Sequence, residues 1–462
     1  MSKQEIGSIS EVIQAQKSYF LAGKTLSLTS RKENLLKLRA LLKQNEDKIA
    51  AAVFEDYQKS YFEVMENELG LVYVEITMAL KKLRKWSKPL RPAPGIVNVP
   101  ANCRVYPQPF GNVLCISPWN YPVQLALIPI VSALAAGNTV ILKPSEISSH
   151  TSLVLTKLIN EAFPLEILYS QYGGVKETQE LLSFRFDKIF FTGSTEVGRV
   201  VMKAATKYLT PLTLELGGKN PVIVLPDCDL KRTAQRLVWG KFHNGGQACV
   251  APDHIYVHKD IEQELLAEVR RNVEKTFNGN AAESEAFPRI ISKNHYNRLM
   301  KLIPRDKVLM GGSGNEANLF IEPTIIGSVS EDDAIMQEEV FGPLMPFLTF
   351  ENLDELMVNL KQKPSPLALY VFSKNLKLAR KIQKEIRSGG GMINDTVVHF
   401  VNASTPFGGF GESGMGNYHG RAGFETFSHR KTVIKKPTWF ELKVKYPPYT
   451  TSKMKLIKLI LR

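Results

Sequence analysis

Residues 111–143 read GNVLCISPWNYPVQLALIPIVSALAAGNTVILK, a stretch in which two short apolar runs flank a longer apolar segment. The runs 113–116 and 139–142 have the length and composition of buried strands, and the segment 123–136 is long enough for a helix. A strand, a helix and a second strand in this order predict parallel strands joined by a crossover helix. We therefore expect an α/β fold built on a parallel sheet.

The flanking sequence extends this pattern in both directions. The first ninety or so residues carry helical periodicity, for example at Leu35, Leu38 and Leu42, and the prolines within 88–95 end it. A second block of strand-like and helix-like segments runs from about 214 to 402. These features predict a second α/β domain and a boundary in the proline-rich segment.

Composition limits the class of protein. At 462 residues the chain exceeds what one hydrophobic core usually supports, so two or three domains are expected. Hydrophobic residues make up 44% and charged residues 23%, as in soluble globular proteins. No CxxC pair occurs among the four cysteines, so we expect neither a zinc site nor a disulfide framework, and a reducing, cytoplasmic setting. The polar start, 1–10, lacks the pattern of a secretory signal.

The net charge of +14 is concentrated near the C-terminus, at Lys431, Lys435, Lys436, Lys443, Lys445, Lys453, Lys455, Lys458 and Arg462. No recognition-helix, zinc-finger or RNA-binding signature accompanies it, so nucleic-acid binding is not predicted. The last ten residues alternate lysine with apolar residues, in a stretch shorter than the about 20 residues that cross a bilayer. They predict a helix that either lies on a membrane surface or packs on its own protein or a partner subunit.

The stretch 243–253, HNGGQACVAPD, is the strongest candidate for chemistry. Gly245 and Gly246 permit a loop that presents the Cys249 thiol and leaves peptide N–H groups free to hold an oxyanion. A cysteine nucleophile needs this setting, but a buried structural cysteine fits the same window. The window alone leaves both interpretations open.

A second candidate is the stretch 189–198, IFFTGSTEVG, which reads as a strand, a glycine turn and a helix start. Gly193 permits the tight turn, and Ser194 with the first N–H groups of the helix would face an anion such as a pyrophosphate. The spacing is not that of the common dinucleotide or P-loop motifs, so an ordinary β-to-α turn with an N-capping residue is the alternative.

Seven segments occur in one order along the chain: 118–122 (PWNYP), 143–146 (KPSE), 191–194 (FTGS), 214–219 (LELGGK), 246–249 (GQAC), 338–343 (EEVFGP) and 406–409 (PFGG). With them the chain resembles the aldehyde dehydrogenase superfamily from about residue 10 to residue 449. The segments CVAPD after the cysteine, SGMGNYHG at 413–420, FSHR at 427–430 and YPPY at 446–449 resemble its class 3 branch, which includes fatty and aromatic aldehyde dehydrogenases.

The resemblance implies a catalytic set. Cys249 as thiolate would attack the aldehyde carbon, and the Asn120 amide with the Cys249 backbone N–H would hold the oxyanion. Glu215 would act as the general base that cleaves the resulting thioester with water. Taken without the resemblance, Glu215 is a surface carboxylate at a strand end and Asn120 a turn residue.

The resemblance also implies NAD or NADP as cofactor and no metal. It assigns the ribose hydroxyls to Lys143 and Glu146, the pyrophosphate to Gly193, Ser194 and Trp119, and the nicotinamide side to Glu339 and Phe341. The plainer alternatives are a solvated acidic loop for Glu338 and Glu339, and a surface lysine that snorkels for Lys143.

The fold class that we predict is α/β, with a Rossmann-like parallel-sheet cofactor domain, a second α/β catalytic domain and a small β oligomerisation element. The cofactor domain is expected to comprise 1–90 and 110–212, and the catalytic domain 213–402. The oligomerisation element is expected at 91–109 and 430–442, followed by a basic tail at 443–462. By resemblance, a hairpin at about 91–109 and a strand at about 432–442 would form a homodimer interface. Exposed β-prone segments also fit an internal sheet edge.

The predicted function is the NAD(P)-dependent oxidation of aliphatic or aromatic aldehydes to carboxylic acids, through a thiohemiacetal and a thioester on Cys249. One alternative is a cysteine-dependent acyl transferase or thioesterase with His243 as base. Another is an acylating enzyme that passes the thioester to coenzyme A, against which Glu215 argues. A third is a basic peripheral membrane or nucleic-acid binding protein without catalysis.

Overall fold

A computed structural model describes residues 8–461 of the chain. The helices are α1 (Ile9–Leu21), α2 (Leu28–Gln44), α3 (Glu46–Tyr57), α4 (Tyr61–Val64), α5 (Gly70–Trp86), α6 (Gln124–Ala136), α7 (Ser149–Ala162), α8 (Val175–Ser183), α9 (Thr195–Thr206), α10 (Leu230–Phe242), α11 (Glu262–Thr276), α12 (Lys293–Leu302), α13 (Ala334–Gln337), α14 (Leu353–Gln362), α15 (Leu376–Glu385), α16 (Gly420–Thr426) and α17 (Thr451–Ile460).

The strands are β1 (Asn102–Pro109), β2 (Asn112–Ile116), β3 (Thr139–Lys143), β4 (Leu168–Ser170), β5 (Lys188–Thr192), β6 (Leu212–Glu215), β7 (Pro221–Val224), β8 (His254–His258), β9 (Val308–Met310), β10 (Gly314–Asn315), β11 (Phe320–Ile321), β12 (Thr324–Ile326), β13 (Leu344–Phe350), β14 (Ala368–Phe372), β15 (Gly390–Ile393), β16 (Gly414–Met415) and β17 (Ser428–Lys435).

The first large sheet has the strand order β16-β6-β5-β2-β3-β4, and every neighbouring pair is parallel except β16 with β6. The predicted strands at 113–116 and 139–142 are neighbours in it, with Cys115 opposite Leu142, and α6 is their crossover. The α/β prediction is confirmed for this unit. Because parallel strands point the same way, their carboxyl ends bring Lys143, Thr192 and Glu215 to one edge of the sheet.

The second large sheet has the order β15-β14-β7-β8-β13-β12-β9, in which only β9 runs antiparallel to its neighbour. β6 pairs with β5 in the first sheet, and β7 pairs with β8 in the second. The chain therefore passes from the first sheet to the second between Glu215 and Pro221. It returns to the first sheet at β16, in a segment to which the predicted domain ranges assign nothing.

The N-terminal helices cover one face of the first sheet. Leu35, Leu38 and Leu42 in α2 are at most 1% exposed, and Val72 and Ile76 in α5 are fully buried. Spacings of three and four residues put these side chains on one stripe of each helix, which packs on α6 and the sheet beneath it. The helical periodicity of the sequence is therefore explained by this core.

A two-stranded antiparallel ribbon forms a sheet separate from the two large ones. It pairs β1 with β17, so that Val105 lies opposite Thr432. The predicted hairpin at 91–109 is wrong, because that segment supplies one strand and a single bridge from Leu90 to Val105. Its prolines lack the N–H that a ladder needs. The second strand also ends at Lys435 instead of continuing to 442, since Pro437 follows.

The C-terminal tail ends in the short helix α17, which has no buried residue; Leu459 is 78% exposed and Leu461 67%. Among residues 8–461, no helix has the length and apolar content that a membrane crossing requires. Arg462 and most of the polar start at 1–10 lie outside the described residues.

Candidate active site

The loop after α10 places Cys249 at the junction of the two sheets. Asn244, Gly245 and Gly246 all have positive φ, of 51°, 61° and 74°, which turns the chain sharply. A Cβ at Gly246 would lie 2.2 Å from the Gly342 carbonyl oxygen, so only glycine fits there. The Cys249 side chain is partly exposed and lines a cavity of about 480 Å³. The loop thus presents the sulfur to a cavity, as the two-glycine pattern predicts.

Asn120 lies beside this loop and lines the same cavity. It is 3% exposed, and its Nδ2 donates a hydrogen bond to the Gln247 carbonyl oxygen at 3.1 Å. The Asn244 amide donates to the Asn120 and Gln247 carbonyl oxygens, at 3.0 Å each. The side chain assigned to the oxyanion is therefore fixed to the loop that carries Cys249.

Glu215 closes the cavity at the carboxyl end of β6. It is 3% exposed, and burial raises the pKa of its carboxyl well above the usual range. The nearby Gly409 N–H lowers this pKa by a smaller amount. Neither carboxyl oxygen has a hydrogen-bond partner of normal geometry within the described residues. The interpretation of Glu215 as a surface carboxylate is wrong, because β16 pairs along β6 and covers its end. A buried carboxyl without partners can hold and release a proton.

Burial also governs the state of the sulfur. It raises the pKa of the Cys249 thiol to about 12, with smaller contributions from the negative charges of Glu339 and Glu215. The thiol is thus protonated at neutral pH in this arrangement. A positive charge beside it would favour the thiolate that a nucleophile requires.

Glu339 and Phe341 approach the cavity from the second sheet. The Glu339 carboxyl packs on a glycine turn, where a Cβ at Gly217 would lie 2.1 Å from it. Burial and the charge of Asp253 raise the pKa of Glu339 to about 8. Phe341 has a φ of 47° and meets the Trp119 ring edge-on at 5.3 Å. An aromatic wall and a carboxyl therefore flank the space in front of the cysteine.

The end of β5 has the features of a dinucleotide site. Ser194 is the N-cap of α9, its hydroxyl accepts from Val197 N–H at 3.4 Å, and the helix N-terminus opens into the cavity. The Thr192 hydroxyl is buried and has no hydrogen-bond partner among residues 8–461, and a Cβ at Gly193 would lie 2.6 Å from the Phe191 ring. An unpartnered hydroxyl and free helix N–H groups fit a pyrophosphate, so the residues present suit a dinucleotide cofactor.

Lys143 and Glu146 lie beyond the end of β3, at the same sheet edge but outside the lining of the cavity that contains Cys249. Lys143 is 2% exposed, and its Nζ donates to the Pro144 carbonyl at 2.7 Å and to Glu146 Oε2 at 3.4 Å. The interpretation of Lys143 as a surface lysine is therefore wrong. Glu146 is exposed and free to accept hydroxyl protons.

His243 does not form a dyad with Cys249. Its ring stacks between Tyr121 and Trp239, and it lines a second cavity of about 370 Å³. Burial and the charge of Lys59 lower the pKa of His243 to about 3. The geometry thus gives no support to a cysteine hydrolase that uses this histidine as base.

The structure adds residues that sequence reasoning missed. Tyr418, Phe407, Leu367 and His295 line the cavity with Cys249, from parts of the chain far apart in sequence. No local pattern identifies their role, although Phe407 and Tyr418 lie within the quoted segments 406–409 and 413–420. The second cavity was also not predicted, because its lining comes from segments far apart in sequence.

The model of the aldehyde dehydrogenase family matches residues 2–433. The chain is similar to a 4,4'-diaponeurosporen-aldehyde dehydrogenase of Staphylococcus aureus, with 41% identity covering 96% of each chain. It is 40% identical to the aldehyde dehydrogenase family 3 member H1 of Arabidopsis thaliana, over 99% of this chain and 96% of that one. A dimeric, NADP-preferring aldehyde dehydrogenase of the dog, Canis lupus familiaris, is 41% identical, over 96% of this chain and 98% of that one.

Solved structures agree with this. The substrate-bound state of Staphylococcus aureus AldH superposes with a TM-score of 0.96 at 39% identity, covering 99% of this chain and all of that one. The NAD+ complex of an aldehyde dehydrogenase from Bacillus cereus superposes with a TM-score of 0.82 at 26% identity, covering 92% and 88%. With the fold, the cysteine loop and the family match in agreement, the chain belongs to the aldehyde dehydrogenase family, in its class 3 branch.

Proposed function

We propose that this enzyme oxidises aliphatic or aromatic aldehydes to carboxylic acids, with Cys249 as nucleophile, Asn120 as oxyanion donor and Glu215 as general base. The observation that carries the proposal is that these three side chains line one cavity with Ser194 and Glu339. A nucleophile, an oxyanion donor, a proton-holding carboxyl and a dinucleotide site in one cavity suit aldehyde oxidation, whereas a hydrolase needs no dinucleotide site.

In the first step, the Cys249 thiolate attacks the aldehyde carbon and the carbonyl oxygen becomes an oxyanion. The Asn120 Nδ2, released from the Gln247 carbonyl, and the Cys249 N–H donate to this oxygen. Loss of such a donor typically reduces the rate by about 10²–10³-fold. NAD(P)+, when bound, would accept the hydride, and its positively charged nicotinamide ring would favour the thiolate form of Cys249.

In the second step, Glu215 takes a proton from the water that cleaves the thioester. Its raised pKa suits this role, because a carboxylate that binds a proton more tightly than usual is a stronger base. The same property argues against an enzyme that transfers the thioester to coenzyme A. That alternative uses the thiol of the acceptor and needs no buried base for water.

The cofactor that we propose is NAD or NADP. Glu146 suits the ribose hydroxyls of NAD, and Lys143 suits either a hydroxyl or a 2′-phosphate. The dog relative is NADP-preferring, and the Bacillus cereus structure contains NAD+. We propose Gly193, Ser194 and Trp119 for the pyrophosphate, in addition to the nicotinamide contacts of Glu339 and Phe341.

The second cavity suits the entry of an apolar aldehyde from the side opposite the cofactor. Trp239 and Val401 are 38% and 42% exposed at its mouth. Val397, which also lines this cavity, belongs to the large apolar cluster against which Phe400 and Cys249 both pack. Aliphatic and aromatic chains match such a lining because they bury apolar surface.

We further propose a cytoplasmic homodimer that uses the β1/β17 ribbon. Val433 and Ile434 on β17 are 42% and 43% exposed, which leaves apolar side chains on a strand with a free edge. The dimeric dog relative supports this assembly. We also propose weak contact of α17 with anionic membrane surfaces. In the proposed domain division, β6 and β16 belong with the first sheet to the cofactor domain, so the catalytic domain begins after Glu215, and the ribbon is limited to β1 and β17.

The test is a series of straight-chain and aromatic aldehydes, assayed with NAD and with NADP. We expect reduced cofactor to accumulate with every aldehyde that the second cavity admits, and no oxidation in Cys249→Ala. Cofactor-independent ester hydrolysis without any aldehyde oxidation would contradict the proposal. So would a strict requirement for coenzyme A.

A further inference from the structure

A π-helical turn at Met65–Leu69 interrupts the continuous helix formed by α4 and α5. Hydrogen bonds in such a turn run from residue i to i+5, so residues five apart come to lie above one another. Glu63 and Glu68 are five apart, and both are buried, at 8% and 0% exposure. The turn therefore directs two buried carboxyls, the π-turn acid pair, toward the same side.

Glu68 holds the segment that carries Asn120. Its Oε2 accepts hydrogen bonds from Val123 N–H at 3.1 Å and Gln124 N–H at 2.9 Å, at the start of α6. Its Oε1 accepts from Lys59 Nζ at 3.0 Å. A charged acceptor on two backbone N–H groups fixes that helix start, three residues after Asn120.

Glu63 faces the loop that carries Cys249. Its carboxyl is close to the Asn244 N–H, and its Oε1 lies 3.9 Å from His243 Nδ1. Asn244 has a left-handed φ of 51°, and its side chain bonds the carbonyl oxygens of Asn120 and Gln247. Glu63 is thus in contact with Asn244, the residue that joins the Asn120 segment to the Cys249 loop.

We propose that the π-turn acid pair positions the oxyanion site, with Glu68 bracing the Asn120 segment and Glu63 bracing the turn that presents Cys249. Neither carboxyl lines the cavity that holds Cys249, so both act as positioning residues. The inference rests on the proposed roles of Asn120 and Cys249.

The charges around Glu63 are unbalanced. The charged and titratable groups near it are Lys59, Glu66, His243 and the Tyr121 hydroxyl, with Glu68 on the next turn of the same helix. The one lysine is bonded to Glu68, so two buried carboxyls share a single cation. Burial raises the pKa of Glu63 from its ordinary 4.5 to about 7, while Lys59 opposes the shift and Glu66 adds to it.

The raised pKa of Glu63 makes the stability of the folded protein depend on pH. A raised carboxyl pKa means that the folded protein binds this proton more tightly than the unfolded chain. The stability linked to Glu63 is therefore complete below pH 4.5 and is lost as the pH rises to about 7. The Glu63→Gln variant keeps an acceptor for the Asn244 N–H and carries no charge, so it should lose less stability over this range.

The test compares Glu63→Gln, Glu63→Leu and Glu68→Gln with the exposed control Glu55→Gln in the full-length protein. Two assays are run: oxidation of hexanal with NAD, and hydrolysis of p-nitrophenyl acetate without cofactor, which uses the thiol, the oxyanion donors and the Glu215 base but no hydride transfer. We expect Glu63→Leu and Glu68→Gln to lower kcat in both assays by about tenfold, with KM for NAD unchanged. Glu63→Gln should restore most of the activity lost in Glu63→Leu.

Equal loss in Glu63→Gln and Glu63→Leu would overturn the inference, as would wild-type kcat in Glu63→Leu. If Glu68→Gln does not fold, the Glu63 comparison decides. Calorimetry without cofactor adds a second readout: the difference in melting temperature between Glu63→Gln and wild type should grow from pH 5 to pH 8, and a constant difference contradicts the account. Wild-type protein inactive in both assays would refute the proposed function itself, whereas active wild type with unaffected variants refutes the inference alone.

Discussion

At the residue scale, the two groups proposed as nucleophile and base both hold their protons more tightly than usual. Burial raises the pKa of the Cys249 thiol and of the Glu215 carboxyl, and a negative charge on Glu215 further disfavours the thiolate. A positive charge beside the sulfur would favour the thiolate. In the proposed mechanism the base is needed only after the thioester exists.

Replacing Glu215 with glutamine should separate the two steps. The Glu215→Gln variant keeps the size of the side chain but removes the base, so the thioester forms and then persists. We expect a burst of NADH close to one equivalent per site, followed by turnover reduced by about 10²–10⁴-fold. Stopped-flow absorbance measures both phases, with the exposed Glu283→Gln as control. Full steady-state turnover in Glu215→Gln would show that the base lies elsewhere.

The pH dependence of thioester hydrolysis reports on the same group. Because burial raises the pKa of Glu215, the ionised fraction increases with pH well above the range of an ordinary carboxyl. The deacylation rate should therefore keep rising with pH above the range in which an ordinary carboxyl titrates, and level off above the shifted pKa. Single-turnover decay of the acyl-enzyme between pH 5 and 9 measures this. A rate already constant above pH 5 would mean an unshifted carboxyl.

Sequence reasoning identified individual site residues unevenly. Cys249 and its glycine turn carry a local pattern, since only a left-handed turn needs glycine at Gly246. Glu215 and Lys143 do not, because their burial depends on strands and loops distant in sequence. Without the resemblance, the sequence favours a surface carboxylate for Glu215 and also fits a surface lysine for Lys143. The position of Asn120 beside the cysteine loop depends on its contact with Gln247, which the spacing of residues in the sequence does not reveal.

At the element scale, strands and helices with strong periodicity were predicted well. The crossover unit β2-α6-β3 was expected within one or two residues of its bounds, because a buried parallel strand is apolar throughout. The ribbon was predicted less well, since prolines interrupt one segment and end the other. The π-turn was not predicted at all, because its residues do not differ in type from those of an ordinary helix.

The exposed strand β17 gives a test of the proposed dimer. Replacing Val433 with aspartate puts a charge on an apolar strand surface, which should disrupt an interface there while leaving each subunit folded. We expect monomers by light scattering after gel filtration, whereas the exposed control Val358→Asp should leave the assembly intact. A dimer that survives Val433→Asp would place the interface elsewhere.

At the scale of the whole molecule, charge is distributed unevenly. Residues 428–461 contain nine Lys or Arg against a single Glu, more than half of the net charge of +14. In the same region, Trp439 is 80% exposed and Leu459 78%. A basic segment with exposed aromatic and aliphatic side chains has the composition of an interfacial membrane anchor.

Removing residues 450–462 tests this surface. We expect the truncated protein to keep its activity toward hexanal, because α17 contributes nothing to the cavities described above. The truncated protein should sediment less with vesicles containing phosphatidylserine than the full chain does. If two or more lysines contribute, its affinity for these vesicles should be about tenfold lower. Phosphatidylcholine vesicles serve as control. Equal sedimentation of both forms would exclude α17 as the contact.

The most direct test of the central claim is mass spectrometry of the acyl-enzyme. The Glu215→Gln variant is mixed with NAD and hexanal, quenched in acid and digested with trypsin. The peptide from Phe242 to Lys259 contains Cys249 as its one cysteine. We predict that this peptide gains the mass of a hexanoyl group, and that it does so only when NAD is present. An unmodified peptide during NADH formation, or a hexanoyl group on another residue, would contradict the account.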